Sequence, residues 1–216
     1  MQNSFIEQTA SFVKERLKNA ESGHDWWHIQ RVWNNTKLLL ETEDADRMVC
    51  ELTALLHDIA DSKFHHGDEQ IGPRIAGEFL LSIGVDATTV VHVQQIILNM
   101  SFKASLGEVS FHSKELEIVQ DADRLDAIGA IGIARAFNYG GFKNREIYNP
   151  EIPVEQHLTK EAYKNTQAPT INHFYEKLLL LRDKMNTPTG REIAAERHRF
   201  MESFLQQFYG EWNGER

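Results

Sequence analysis

The sequence predicts an all-α fold, and two observations carry that prediction. Apolar residues recur three and four positions apart along most of the chain, which is typical of amphipathic helices. Sustained alternation of apolar and polar residues, the pattern of a half-buried strand, is found nowhere. With 216 residues and 41% hydrophobic content, the chain is long enough to bury a sizeable core. We therefore expect one domain over residues 1–216, made of helices packed around a single core.

Helix limits follow from this periodicity and from capping residues and glycines. Asp86 and Ser113 are placed to act as N-caps, and Thr189 with Glu192 has the spacing of a capping box. Pro73 is tolerated in a first turn. The segment 139–153 is irregular and long enough to be a lid or a binding loop. The predicted helices cover about residues 5–17, 25–41, 46–59, 71–83, 86–99, 113–121 and beyond, 129–138, 170–185 and 190–209.

The charge of the chain argues against two classes of partner. The net charge is −9 and the basic residues are scattered, so the electrostatic footprint of a duplex-DNA binder or an anionic-membrane binder is missing. We expect neither partner, and the sequence leaves open whether the chain forms a homodimer.

Three features of the sequence indicate a cytoplasmic protein. Cys50 lies in an apolar helical pattern, which indicates a buried thiol in a reducing compartment. Residues 1–20 lack the basic and apolar regions of a signal peptide. No run approaches the roughly 18 apolar residues that a membrane span needs.

The apolar stretch 55–61 ends in three groups that can bind a metal, His57, Asp58 and Asp61. Adjacent residues on a helix diverge by about 100°, so His57 and Asp58 reach one ion only where the helix ends or where the ion lies astride the face. Asp61 follows one turn later on the same side. A buried imidazole and a buried carboxylate are costly unless paired or coordinated, which makes this stretch a site candidate.

A second acidic candidate comes from the tetrapeptide Asp-Ala-Asp-Arg, which occurs at 44–47 and at 121–124. The first copy follows acidic residues and precedes a helix, which predicts a solvated cap. Apolar residues flank the second copy on both sides, so its acids need compensation for burial. The candidate ligands are then His28, His57, Asp58 and Asp123. Two imidazoles and two carboxylates suit Mn²⁺, Fe²⁺, Ni²⁺ or Zn²⁺ better than Mg²⁺, and leave two octahedral positions for a phosphoryl oxygen and a water.

These residues resemble the HD superfamily of metal-dependent phosphohydrolases, whose ligand order is H, HD, D. The resemblance covers about residues 20–140 and would make the helices over about 155–212 a C-terminal extension. In such relatives the aspartate of the Ala-Asp-Arg triplet is the ligand, which selects Asp123 over Asp121 and Asp126. The matching segments are His24-Asp-Trp-Trp-His28-Ile-Gln-Arg31-Val, His57-Asp58-Ile-Ala-Asp61 and Asp121-Ala-Asp123-Arg124-Leu-Asp126.

A longer pattern narrows the resemblance. The segments 61–66 and 196–204 are similar to those of bacterial nucleotide pyrophosphohydrolases that act on deoxynucleoside triphosphates. This implies cleavage of a (deoxy)nucleoside triphosphate to a monophosphate and pyrophosphate, with Mn²⁺ as the expected ion. A phosphohydrolase for cyclic nucleotides or a guanosine alarmone would share the metal site. A regulatory module that binds a nucleotide without turning it over is the third alternative.

The other candidates concern the attacking water, the phosphates and a second ion. Asp61 and Lys63 are the catalytic candidates, with Asp61 orienting or deprotonating the water. Two-metal relatives use extra histidines between the HD pair and the last aspartate, but His92 and His112 form no aligning pattern there, and we expect His92 to be a core histidine. Instead of binding substrate, Arg124 could be a structural partner of a nearby carboxylate. Solvent exposure without a binding role is the alternative for Lys63, His65, His66, Lys143 and Arg145. The substrate-binding candidates are His24, His65, His66, Arg124, Lys143 and Arg145.

Overall fold

The computed structural model describes residues 2–18, 25–60, 68–100, 111–155 and 168–215. All regular secondary structure in these ranges is helical, so the predicted all-α class is confirmed. The chain divides into two compact units, Met1–Asp123 and Arg124–Arg216. The single domain over 1–216 stays a prediction.

The first unit is built around α3, the helix that carries the apolar stretch. α3 packs against α1, α2 and α5, and α4 packs against α5. Every residue of α3 from Leu52 to Leu56 is buried, so the predicted buried helix that turns polar at its end is confirmed. Its helices are α1 (Gln2–Arg16), α2 (Trp26–Leu39), α3 (Arg47–Leu56), α4 (Ile71–Ser82), α5 (Ala87–Asn99) and α6 (Lys114–Asp126), of which α6 continues past the end of the unit at Asp123.

Three side chains cap helices of the first unit as the sequence predicts. Asp46, in the first Asp-Ala-Asp-Arg copy, accepts hydrogen bonds from the first-turn amides of α3. Asp86 accepts from the Thr89 amide at 3.0 Å. The Ser113 hydroxyl accepts from the Leu116 amide at 3.1 Å. Each cap satisfies an amide that has no partner inside its helix, which fixes where α3, α5 and α6 begin.

The second unit contains α7 (Gly129–Phe142), α8 (Thr170–Glu176), a 3-10 helix (Leu178–Lys184) and α9 (Pro188–Trp212). The rings of Phe137, Phe174 and Phe204 pack against one another, with centroids 5.9 to 6.1 Å apart. α9 packs against α7 and the 3-10 helix, and α8 packs against both as well.

Two predictions for the second unit are wrong. The single helix over 170–185 is interrupted at Lys177, whose φ of −144° is not helical, and the chain continues as the 3-10 helix. The N-cap of α9 is Thr187 rather than Thr189, because the Thr187 hydroxyl accepts from the Gly190 amide at 3.0 Å. Pro188 then occupies the first helical position, where its missing N–H costs nothing.

The segment predicted to be irregular from residue 139 begins later, because α7 continues to Phe142. Beyond it, the amides of Thr170 and Ile171 donate to the carbonyls of Glu146 and Ile147 at 2.9 and 3.0 Å. The Tyr148 ring contacts three rings of α9 edge to face. These contacts tie residues 146–148 to α8 and α9, and a lid function for the segment stays a prediction.

Gly132 illustrates how closely the start of α7 is packed. A Cβ atom at Gly132 would lie 2.2 Å from the Ala127 carbonyl oxygen, whereas one at Gly141 would have nothing within 4 Å. We expect Gly132→Ala to destabilise the fold by about 1–3 kcal/mol through overpacking. Gly141→Ala, in the same helix, should be neutral or stabilising by about 0.5–1 kcal/mol. Chemical denaturation of both variants measures the difference, and equal stabilities would contradict the packing argument.

Candidate metal centre

His28 is held at the start of α2. Asp25 is the N-cap of that helix, and its carboxylate accepts a hydrogen bond from the His28 amide at 2.9 Å. The His28 residue is only 2% exposed. A short polar side chain at the N-cap and apolar residues along one face therefore place an imidazole inside the protein at a helix entrance.

His57 lies where α3 ends, as the C-cap residue. Its Nδ1 is 2.9 Å from the Ala54 carbonyl oxygen, which can only accept, so Nδ1 carries the proton and Nε2 presents its lone pair. Nε2 is buried and has no hydrogen-bond partner among the described residues. A buried polar atom without a partner is costly, and an oriented imidazole with its second nitrogen on a backbone carbonyl is the usual arrangement of a metal-binding histidine.

Three of the four predicted ligands, His28, His57 and Asp58, lie together, and the fourth, Asp123, approaches His28. His28 Nε2 lies 3.6 Å from Asp123 Oδ1 and 3.9 Å from Asp58 Oδ2. One nitrogen or oxygen of each of His28, His57 and Asp58 lies within 4.8 Å of the corresponding atoms of the other two. Ligand atoms that surround one ion at bonds of roughly 2 Å stand about 3–4 Å apart. The donor types therefore suit a divalent ion, and the two distances from His28 lie in the range expected between ligands of one ion.

The acids around Asp123 differ in burial in a way that the sequence does not predict. Asp121 and Asp126 are fully buried, whereas the Asp123 side chain is 43% exposed. Asp126 pairs with Arg135, so its burial is compensated inside the second unit. Asp123 combines closeness to His28 with access from solvent, and a ligand that must also face a substrate needs both.

The remaining described candidates have protein partners. Arg124 donates a hydrogen bond to the Lys184 carbonyl. This contact supports a structural role for Arg124, although its partner is a backbone carbonyl and not the carboxylate that the sequence suggested. Lys143 lies over the rings of Phe142 and Tyr139, at 5.0 and 5.7 Å from their centroids. Arg145 lies over Tyr139 at 5.6 Å. Substrate binding by these residues stays a prediction, and His24, Asp61, Lys63, His65 and His66 lie outside the described residues.

His173, in α8, lies near Arg145 and Lys177 but does not add to their positive charge. Burial, with Lys177 and Arg145 nearby, lowers the pKa of His173 to about 3. His173 is therefore neutral at physiological pH, and Arg145 and Lys177 supply the positive charge at this end of α8.

His92 is not the core histidine that its apolar neighbours suggest. Its side chain is 31% exposed, and Nε2 lies 3.2 Å from Ser113 Oγ and 3.5 Å from Glu115 Oε2. The adjacent Val91 is also exposed. Within the part of the chain that the structure describes, His92 and His112 join no group of three potential ligands, so the geometry offers one ion site there.

The single cysteine is buried as predicted. Burial, together with the nearby carboxylates of Glu115 and Asp46, raises the pKa of the Cys50 thiol far above its usual range. Since the thiolate is the nucleophile, Cys50 is inert at physiological pH.

Comparison with known proteins identifies the family. Residues 26–128 match the HD domain model. A crystal structure of an HD-superfamily hydrolase from Bacillus thuringiensis is 43% identical, with a TM-score of 0.78 over 99% of both chains. This chain belongs to the HD superfamily. The predicted class of enzyme, a divalent-metal-dependent phosphohydrolase of HD type, is thereby confirmed.

Another relative of this HD-superfamily protein has a crystal structure with a bound nucleotide. The YpgQ protein of Bacillus subtilis is 39% identical over 203 residues, which cover 93% of this chain and 90% of YpgQ. A crystal structure of YpgQ in complex with ADP aligns with a TM-score of 0.77 and 35% identity, over 97% of this chain and 96% of that one.

Among the described residues, no helix combines the length and the apolar character needed to cross a bilayer.

Chelation is expected to lower the melting temperature of this HD-superfamily protein. Asp58 and Asp123 come from different parts of the chain and both approach His28, so their charges repel when no cation lies between them. An ion that binds only the folded state adds stability, about 2.7 kcal/mol when free metal is at 100 times its Kd. Melting curves with Mn²⁺ and with excess chelator measure this. Coincident curves would contradict it, and the His57→Ala variant should show no metal-dependent shift.

Proposed function

We propose that this protein hydrolyses the phosphoanhydride of a nucleotide, converting a (deoxy)nucleoside triphosphate to the monophosphate and pyrophosphate. His28, His57, Asp58 and Asp123 would hold the divalent ion. The observation that carries the proposal is the buried, unpartnered Nε2 of His57 beside His28 and Asp58, with Asp123 close to His28. The nucleotide class is supported by the ADP complex of YpgQ.

Mn²⁺ is the proposed ion, with Fe²⁺, Ni²⁺, Zn²⁺ and Mg²⁺ as alternatives. Imidazole nitrogen favours the transition metals over Mg²⁺, while two carboxylates supply hard oxygen ligands and neutralise the charge of the ion. When bound, a divalent ion polarises a phosphoryl oxygen and lowers the pKa of water to near 7.

The protein side chains would hold the ion, act on the water and offset the phosphate charge. The Asp25 cap fixes the backbone of His28 at the start of α2, and the Ala54 carbonyl orients the His57 ring. Asp61 would orient or deprotonate the attacking water, and Lys63 would act beside it. Cationic groups must offset the phosphate charge in a protein of net charge −9, and the proposed ones are His24, His65, His66, Arg124, Lys143 and Arg145.

A panel of nucleotides tests the proposal. Nucleoside and deoxynucleoside triphosphates, cyclic nucleotides and a guanosine alarmone are incubated with Mn²⁺ or with excess chelator, and pyrophosphate and orthophosphate are measured separately. We expect chelator-sensitive release of pyrophosphate from triphosphates, and none from the His57→Ala variant. Orthophosphate as the sole inorganic product from triphosphates would contradict the proposed bond cleavage, and nucleotide binding without any turnover would indicate a regulatory module instead.

A further inference from the structure

A buried side-chain hydrogen bond joins the helix that carries His28 to the helix that carries Asp123. The Asn35 residue, in α2, is 9% exposed, and its Nδ2 donates to the Ala122 carbonyl of α6 at 3.0 Å. The two residues are 87 positions apart in the sequence. Ala122 directly precedes Asp123, so the bond ends one residue away from a proposed metal ligand.

We propose that Asn35 is a positioning residue for the metal centre, which sets the rotation of α6 so that Asp123 faces His28. This inference rests on the proposed function, because it takes Asp123 and His28 to be ligands of one ion. The sequence motif does not include Asn35, which lies two turns beyond His28 in α2.

Helix geometry explains how one hydrogen bond can have this effect. Seven residues along an α-helix return to within about 20° of the starting direction, so Asn35 and His28 project from the same face of α2. That face therefore meets α6 at two points, the Ala122 carbonyl and the Asp123 carboxylate, with His28 Nε2 3.6 Å from Asp123 Oδ1.

A second contact is needed because an α-helix can rotate about its own axis while its apolar face stays buried. Successive residues differ by about 100°, so even a fraction of that rotation carries the Asp123 oxygens away from His28. Apolar contacts between helices have no preferred direction. A hydrogen bond is directional, because the amide N–H must point at the carbonyl oxygen from within about 3 Å. The Asn35 amide therefore supplies a directional restraint that apolar packing does not.

Substitutions of Asn35 distinguish a role in positioning Asp123 from a role in the stability of the fold alone. In Asn35→Leu the donor is lost at similar volume. In Asn35→Ser the hydroxyl can bond back to a carbonyl of its own helix, so the link to α6 is lost while the new side chain keeps a partner. The neighbouring Asn34 is exposed, so Asn34→Leu and Asn34→Ser are matched controls for helix propensity.

The experiment measures the Kd for Mn²⁺ by titration and the melting temperature in excess chelator, on the wild type and the four variants. We expect both Asn35 variants to bind Mn²⁺ about 10–100-fold more weakly than the wild type, the usual cost of removing a group that orients a metal ligand. The Asn34 controls should match the wild type. If Asn35→Leu does not fold, Asn35→Ser still gives the comparison.

Two outcomes would overturn the inference. In the first, the Asn35 variants melt lower in chelator but keep the wild-type Kd, which would make Asn35 a structural contact only. In the second, the Asn34 controls weaken Mn²⁺ binding as much as the Asn35 variants. A wild type that binds no divalent ion would instead contradict the proposed function itself, so the two failures are distinguishable.

Discussion

Alanine at His57 or at Asp123 is expected to deplete the protein of metal. The wild type should purify with, or take up, about one divalent ion per chain, because one group of convergent ligands lies within the described residues. Removing a ligand should weaken binding by more than the roughly 10–100-fold that loss of a supporting partner costs. Metal analysis of the purified variants, with turnover measured in parallel, gives the result.

The matched control for His57→Ala is His92→Ala. The His92 imidazole already has partners in Ser113 and Glu115, so its removal should leave metal content and turnover near the wild-type values. A full complement of metal in both His57→Ala and Asp123→Ala would show that the ligand assignment is wrong. Loss of metal only in Asp123→Ala would remove His57 from the set.

Asp61→Asn is expected to reduce turnover by about 10²–10⁴-fold while metal content is unchanged. Asparagine keeps the size and much of the hydrogen-bonding capacity of aspartate but cannot accept the proton of the attacking water. Turnover measured across a Mn²⁺ titration should therefore reach a plateau far below that of the wild type.

The alternative role for Asp61 is a partner that orients His57, and the same titration distinguishes it. In that case the apparent metal affinity falls by about 10–100-fold and saturating Mn²⁺ restores the rate. The structure already gives His57 one orienting contact, through Nδ1 and the Ala54 carbonyl. Complete rescue by Mn²⁺ would rule out the catalytic role.

One part of the site, the His57-Asp58 pair, is encoded locally and can be predicted from the residues alone, whereas the choice of Asp123 depended on the family resemblance. His57 and Asp58 follow an apolar helix, and the end of α3 places both near one point, as expected of adjacent residues at a helix terminus. The caps at Asp46, Asp86 and Ser113 depend on a side chain and amides two or three residues away. Each of these three caps can therefore be predicted from a short stretch of sequence.

The features that the sequence does not predict depend on contacts between distant residues. The run from Val90 to Val93 is apolar throughout, so it gives no sign that His92 faces Ser113 rather than the core. The hydrogen bond from Asn35 ends on a backbone carbonyl, which every residue has, so no residue type marks its partner. The break at Lys177 is a backbone conformation within a continuous helical pattern.

The division of the chain inside α6 has a consequence for anyone who wishes to express the metal-binding half alone. The first unit ends at Asp123, but α6 continues to Asp126, and the HD domain match continues to residue 128. A gene fragment that stops at codon 123 would remove the amides that close the last turn over Ala122 and Asp123, and helix ends without such partners fray. A proposed ligand would then lie on a loose carboxyl terminus, beside a new terminal charge. The boundary between the two compact units, after Asp123, is therefore a poor place to truncate this chain.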